Sequence, residues 1–145
     1  MTTSLRPISF ARRGVIQALG ATVTLAATGI RAQPAPEAAD NEAVTVDVAR
    51  AALAAGRAVL IDIREPYEHA TGVAPGARRL PSSQLASRWT EIPKEGQLVY
   101  LVCATQNRSR SALRALRERG AYANVRYVTG GMTEWARRGL PLVKS

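Results

Sequence analysis

Two continuous apolar runs limit what this chain can fold into. Ala58-Val59-Leu60-Ile61-Asp62-Ile63 and Gln97-Leu98-Val99-Tyr100-Leu101-Val102 each read as a strand buried on both faces. Such strands need helices above and below them, and helix-like stretches do alternate with strand-like ones along the chain. Val44-Thr45-Val46 is expected as a short strand, followed by Asp47 as a helix N-cap, an Ala-rich run to Ala55 and Gly56 as its stop. Between Pro66 and Pro81 the chain turns repeatedly at Gly72, Pro75 and Gly76, with room for one short helix and one short strand. Ser83 to Trp89 reads as a helix. Ser109 to Arg119 reads as another, with Ala112, Leu113 and Leu116 on one face, arginines on the other and Gly120 as its cap. Asn124 to Val128 is the last strand, Gly130-Gly131 a tight turn, and Met132 to Arg138 a final helix stopped by Gly139. The alternation predicts an α/β fold with a parallel sheet covered on both sides. Ligands of such sheets bind beyond the carboxyl ends of the strands, which directs attention to Cys103, directly after the second apolar run.

A chain of 145 residues with 46% hydrophobic content suits one domain of ordinary size, and excludes a fibre, a repeat array or a disordered polymer. The formal charge of +9 is unevenly placed. Arg6, Arg12, Arg13 and Arg31 lie in the first 32 residues, which hold no acidic side chain; the remainder carries 16 basic and 11 acidic residues, or +5. That surplus attracts small anions, but it is too small and dispersed for nucleic acid, and no aromatic-studded basic stripe accompanies it.

Residues 1 to 32 have the layout of a secretory signal: a basic start through Arg13, an uncharged stretch from Gly14 to Ile30, and a small-residue end at Ala32. The paired Arg12-Arg13 resembles a twin-arginine export signal, with Val15 and Ile16 where that signal often has Phe and Leu. The organisation expected is therefore a signal peptide over 1–32, a polar linker over 33–43 and one domain over 44–145, with a periplasmic location and no membrane contact after cleavage. In that oxidising compartment a lone cysteine is informative, because Cys103 has no internal disulfide partner. One Cys and one His far apart also lack the spacing of a metal site, and no organic cofactor motif is present; no cofactor is expected.

Cys103-Ala104-Thr105-Gln106-Asn107-Arg108-Ser109 runs from a strand end to a helix start. Backbone N–H groups in such a loop face inward, and the helix N-terminus adds free donors, so the geometry favours an anion. A thiol at a helix N-terminus beside cations gives up its proton more readily than a free one. The nucleophile then needs no histidine, and His69 is too distant in sequence to be assigned as a base. Arg108 closes the loop and is a candidate to hold an oxyanion through its planar fork of donors. Arg110, Arg114 and Arg117 read instead as a solvated helix face. Asp62, Arg64 and Glu68, at the end of a buried strand, are expected to form an ion network under the site rather than acid-base catalysts, and Trp135 to lie in the core with an acceptor for its indole N–H.

These residues resemble the rhodanese family over about Val44 to Leu142. Leu60-Ile61-Asp62-Ile63-Arg64-Glu65-Pro66-Tyr67-Glu68 is similar to its second-strand signature, and Gly72-Val73-Ala74-Pro75-Gly76-Ala77 to its Gly-His-Ile-Pro-Gly-Ala motif. Cys103 through Ser109 resembles its active-site loop, and Gly130-Gly131-Met132 with Trp135 and Gly139-Leu140-Pro141 its closing signature. The resemblance implies a three-layer α/β/α domain with a parallel five-stranded sheet. It implies that Cys103 is the catalytic nucleophile and that Ala104, Thr105, Gln106, Asn107, Arg108 and Ser109 bind the substrate. The Cys103 thiolate would take sulfane sulfur from a small anionic donor, thiosulfate or a persulfide, and pass it to a thiol, to cyanide or to a protein acceptor.

Cys103 to Arg108 spans six residues, as in sulfurtransferases, whereas the related phosphatases resemble this pattern with a loop one residue longer. Two positions depart from the family: Val73 replaces the usual His, and Gln106 stands where Gly is common. A Gln there is expected to adopt a strained conformation or to alter the loop slightly. It also keeps a second reading open, a sulfur carrier or docking module of a redox or sulfur-oxidation pathway that does not turn over by itself.

Overall fold

The computed structural model describes residues 42–120 and 122–144. The signal expected over 1–32 and the linker up to residue 41 lie outside the described residues. Five parallel strands, β1 (Ala43–Val44), β2 (Ala58–Asp62), β3 (Arg78–Arg79), β4 (Leu98–Val102) and β5 (Val125–Val128), form one sheet in the order β1-β5-β4-β2-β3. The helices are α1 (Val46–Ala54), α2 (Leu85–Arg88), α3 (Asn107–Arg117) and α4 (Gly131–Arg137).

The two apolar runs become the two most buried strands because side chains leave a strand alternately to opposite faces. Leu60, Tyr100, Val102 and Val128 pack under α1 and α4, against Val46, Ala49, Met132 and Trp135. Ile61, Val99, Leu101, Val125 and Tyr127 pack on the other face, against Leu113, Leu116 and Trp89. Both faces are covered by apolar side chains, so neither strand has a polar alternation to show. Each fully buried branched side chain contributes about 1.5–3 kcal/mol.

The elements differ from expectation mainly at their starts. Thr45, not Asp47, caps α1: its backbone is extended and its Oγ1 accepts from the Val48 N–H at 3.3 Å. Asp47 falls inside the first turn, where its charge suits the positive helix end. The helix expected from Ser83 is a single α turn, α2, between 3-10 turns at Ser82–Gln84 and Trp89–Glu91. α3 begins two positions before Ser109, because the Gln106 carbonyl already accepts the Arg110 N–H at 2.8 Å. α4 begins at Gly131 rather than Met132, with Gly130 left-handed at φ 74° as its cap.

The chain leaves β2 toward β3 on one side and β4 toward β5 on the other, so the connections diverge between β2 and β4. That divergence opens a crevice at the carboxyl end of the sheet, and Cys103 sits directly beyond β4.

Candidate active site

Strand β4 carries four buried residues in a row to its end and delivers Cys103 at 1% exposure. Beneath the loop, the Ile63 N–H donates to the Val102 carbonyl at 2.9 Å, locking the ends of β2 and β4 together. Of the ion network expected of Asp62, Arg64 and Glu68, the structure forms the Asp62–Arg64 part at the end of β2, while the Glu68 carboxylate pairs elsewhere. Asp62 is fully buried and Arg64 is 3% exposed; their closest approach, Arg64 Nη2 to Asp62 Oδ2, is 2.6 Å. The Arg64 guanidinium also donates to the carbonyls of Gly72 (2.8 Å) and Glu68 (3.3 Å) and to Thr71 Oγ1 (3.2 Å). The buried pair is thus satisfied on every side, as a buried charge must be. Arg64 fixes the turn at Pro66–Thr71 to the end of β2.

Glu68 on that turn faces the other way and receives two hydrogen bonds from Arg108, each 2.6 Å. Those bonds hold its carboxyl well below the usual range, at about 2. The same contact raises Arg108, whose cause is first the Glu68 hydrogen bonds. Arg108 therefore closes the loop by tying the first turn of α3 to the turn after β2, and its fork is spent on Glu68. Glu65 makes the parallel tie to the segment after β3, accepting from the hydroxyls of Ser82 and Ser83.

The loop backbone has a consistent orientation. The Cys103 carbonyl accepts the Met132 N–H and the Ala104 carbonyl the Thr133 N–H, both at 2.9 Å. In a trans peptide the N–H points opposite to the carbonyl, so the N–H groups of Ala104 and Thr105 are turned away from α4. None of the successive N–H groups from Ala104 to Ser109 donates to an acceptor among the described residues. This is a row of free donors at the start of an eleven-residue helix, the electrostatic setting for an anion. Ser109, fully buried, places its Oγ 3.5 Å from Cys103 Sγ and donates to the Gln106 carbonyl at 3.1 Å.

Gln106 does not take up the left-handed backbone that a Gly allows; its φ is −156°. Its side chain turns to the β5–α4 connection, where Oε1 accepts the Gly130 N–H at 3.1 Å. Asn107 is exposed, on the first turn of α3. His69 is buried, with Nε2 3.8 Å from Asp62 Oδ1. Trp135 is in the core, its indole N–H donating to the Pro141 carbonyl at 3.0 Å.

Sequence reasoning missed the part played by Gly131. A Cβ there would collide with the carbonyl oxygens of Thr105 and Cys103, so α4 approaches the loop as closely as it does only because the residue is Gly. The Gly130-Gly131 pair was the available signal. Also missed was a cleft of about 500 Å³ beside the loop, lined among others by Tyr67, Thr71, Ala104, Met132, Thr133 and Leu142. Tyr67 stands at its rim, 78% exposed.

Comparison with known proteins agrees with this architecture. A protein of Allochromatium vinosum described as a sulfurtransferase is 41% identical over 85 residues, covering 59% of this chain and 78% of that one. A rhodanese-related protein of Thermoplasma volcanium superposes with a TM-score of 0.64 at 25% identity, covering 72% of this chain and 99% of that one. The human single-domain sulfurtransferase superposes with a TM-score of 0.58 at 29% identity, covering 66% and 96%. Residues 45–138 match the rhodanese-like domain family, with the strand-end cysteine, its donor-lined loop and the α/β/α layers all in place, and the chain belongs to that family.

Proposed function

We propose that this protein is a sulfurtransferase that carries sulfane sulfur as a Cys103 persulfide. The observation that carries the reading is the row of unpartnered N–H groups from Ala104 to Ser109 around the end of β4, where Cys103 stands. A persulfide anion needs such donors, because a buried negative charge without hydrogen bonds is costly. The Cys103 thiolate attacks the outer sulfur of thiosulfate; a new S–S bond forms at Cys103 as the donor S–S bond breaks, and sulfite leaves with the electron pair. An acceptor thiolate then attacks the outer sulfur of the Cys103 persulfide, and the Cys103 thiolate is the leaving group. A persulfide donor runs the same exchange with a thiolate leaving. Cyanide in place of the thiol gives thiocyanate.

The cleft of about 500 Å³ next to Ala104 supports an acceptor larger than cyanide, such as a low-molecular-weight thiol or a protein cysteine. The signal-like layout of residues 1–32 supports work in the periplasm after export. A second reading, a carrier without turnover of its own, draws on the 1% exposure of Cys103, which restricts approach by an acceptor.

Intact mass separates these readings. The mature protein is weighed before and after thiosulfate or a persulfide, beside Cys103→Ser, and then after cyanide or glutathione. Gain of one sulfur atom that requires Cys103 and is removed by acceptor over many cycles is the expected result. Loading once followed by a stall indicates the carrier. No loading from either donor sinks both.

A further inference from the structure

We propose that Gln106 is a positioning residue that latches the sulfur-carrying loop to the β5–α4 connection, doing with a side chain what the rest of the clamp does with backbone. The inference rests on the reading of Cys103 as the sulfur carrier for its kinetic consequence, but not for the latch itself.

Three N–H groups at and just before the start of α4 meet the loop. Gly130 donates to Gln106 Oε1 at 3.1 Å, Met132 to the Cys103 carbonyl at 2.9 Å and Thr133 to the Ala104 carbonyl at 2.9 Å. Gly131 lies between them with no room for a Cβ, so the two segments are in backbone contact. The last two bonds turn the N–H groups of Ala104 and Thr105 away from α4, which leaves them free for an anion. Gln106 extends the clamp to Gly130, two positions before Met132. It also anchors the other end of the loop, because its own carbonyl accepts from the Arg110 N–H at 2.8 Å and the Ser109 hydroxyl at 3.1 Å. One residue thus joins the start of α3, the serine beside Cys103 and the start of α4. A glycine at this position has no group with which to reach Gly130.

The test uses Gln106→Leu, which has similar bulk and no acceptor, and Gln106→Glu, which keeps an oxygen for the Gly130 N–H. Amide hydrogen exchange at Gly130, Ala104 and Thr105 is followed by NMR, together with single-turnover sulfur loading from thiosulfate and Tm. In Gln106→Leu, exchange at Gly130 is expected to rise about fivefold, the factor of one ordinary hydrogen bond. Loading is expected to slow by a similar factor, with Tm no more than about 4 °C below that of the parent. Gln106→Glu is expected to restore Gly130 protection. Unchanged exchange at Gly130 in Gln106→Leu overturns the latch. Faster exchange with unchanged loading overturns the positioning role. Failure of the parent to load sulfur counts against the sulfurtransferase reading alone, since the exchange measurement decides the latch without it.

Discussion

Glu68 and Arg108, forty positions apart, meet in a two-pronged ion pair with both oxygen–nitrogen distances at 2.6 Å. The pair joins the turn after β2 to the first turn of α3, and so joins the floor of the site to the loop that carries Cys103.

The pair makes stability depend on pH in a defined window. The Glu68 carboxyl is held at about 2 against an ordinary 4.5, first by the Arg108 hydrogen bonds. A carboxyl depressed in the folded state stabilises fully above its unfolded value and loses that contribution as pH falls through the folded one. Parent Tm is therefore expected to fall relative to Glu68→Gln between about pH 4.5 and 2. Near pH 7 Glu68→Gln should lie about 4 °C below the parent, the shift of roughly 1 kcal/mol in a domain of this size. Thermal unfolding of both proteins across that range checks it.

Arg64→Met should be far more damaging than Glu68→Gln. It leaves Asp62 charged, with no exposure and without its main partner. Breaking a buried pair from one side costs about 3–5 kcal/mol, and denaturant midpoints measure the loss. Adding Asp62→Asn to Arg64→Met should recover part of it, because the unpaired charge is then gone.

Gly131→Ala tests the approach of α4 to the loop. The added Cβ meets the carbonyl oxygens of Thr105 and Cys103, and the residue has φ 56°, which Ala resists. Sulfur loading is expected to fall at least about tenfold through displacement of reacting groups. Single-turnover loading beside Tm tells a displaced loop from a wholly unfolded one.

Ser109→Ala removes the hydroxyl 3.5 Å from Cys103 Sγ. A serine hydrogen has one place to go at a time, so the Gln106 carbonyl and a sulfur anion compete for it. Loading is expected to slow by more than about tenfold, as for loss of one hydrogen bond to a charged group. Alanine fits the same buried space, so the circular dichroism spectrum should not change.

Much of the fold was legible because its signals are local. The runs around Leu60 and Val99 show their burial on both faces directly, and Gly120 and Gly139 punctuate the helices before them. Cys103 at the end of a buried strand was legible for the same reason, as was the need of Asp62 for a cation. Helix starts were less so: Thr45 and Asp47 are both competent caps, and the choice between them depends on which backbone is extended by pairing of β1 with β5.

By itself, then, the sequence determined the α/β layering, the place of Cys103 and the length of the loop after it, since these follow from periodicity and neighbouring residues. Only the tertiary structure decided what the side chains of that loop do. Arg108 pairs with Glu68 and Gln106 with Gly130, while Gly131 admits the loop backbone at a distance no larger residue allows. Such pairings join segments far apart in the chain. A guanidinium or a carboxamide bonds whichever acceptor or donor the packed sheet and helices bring within about 3 Å, and no local pattern encodes that distance.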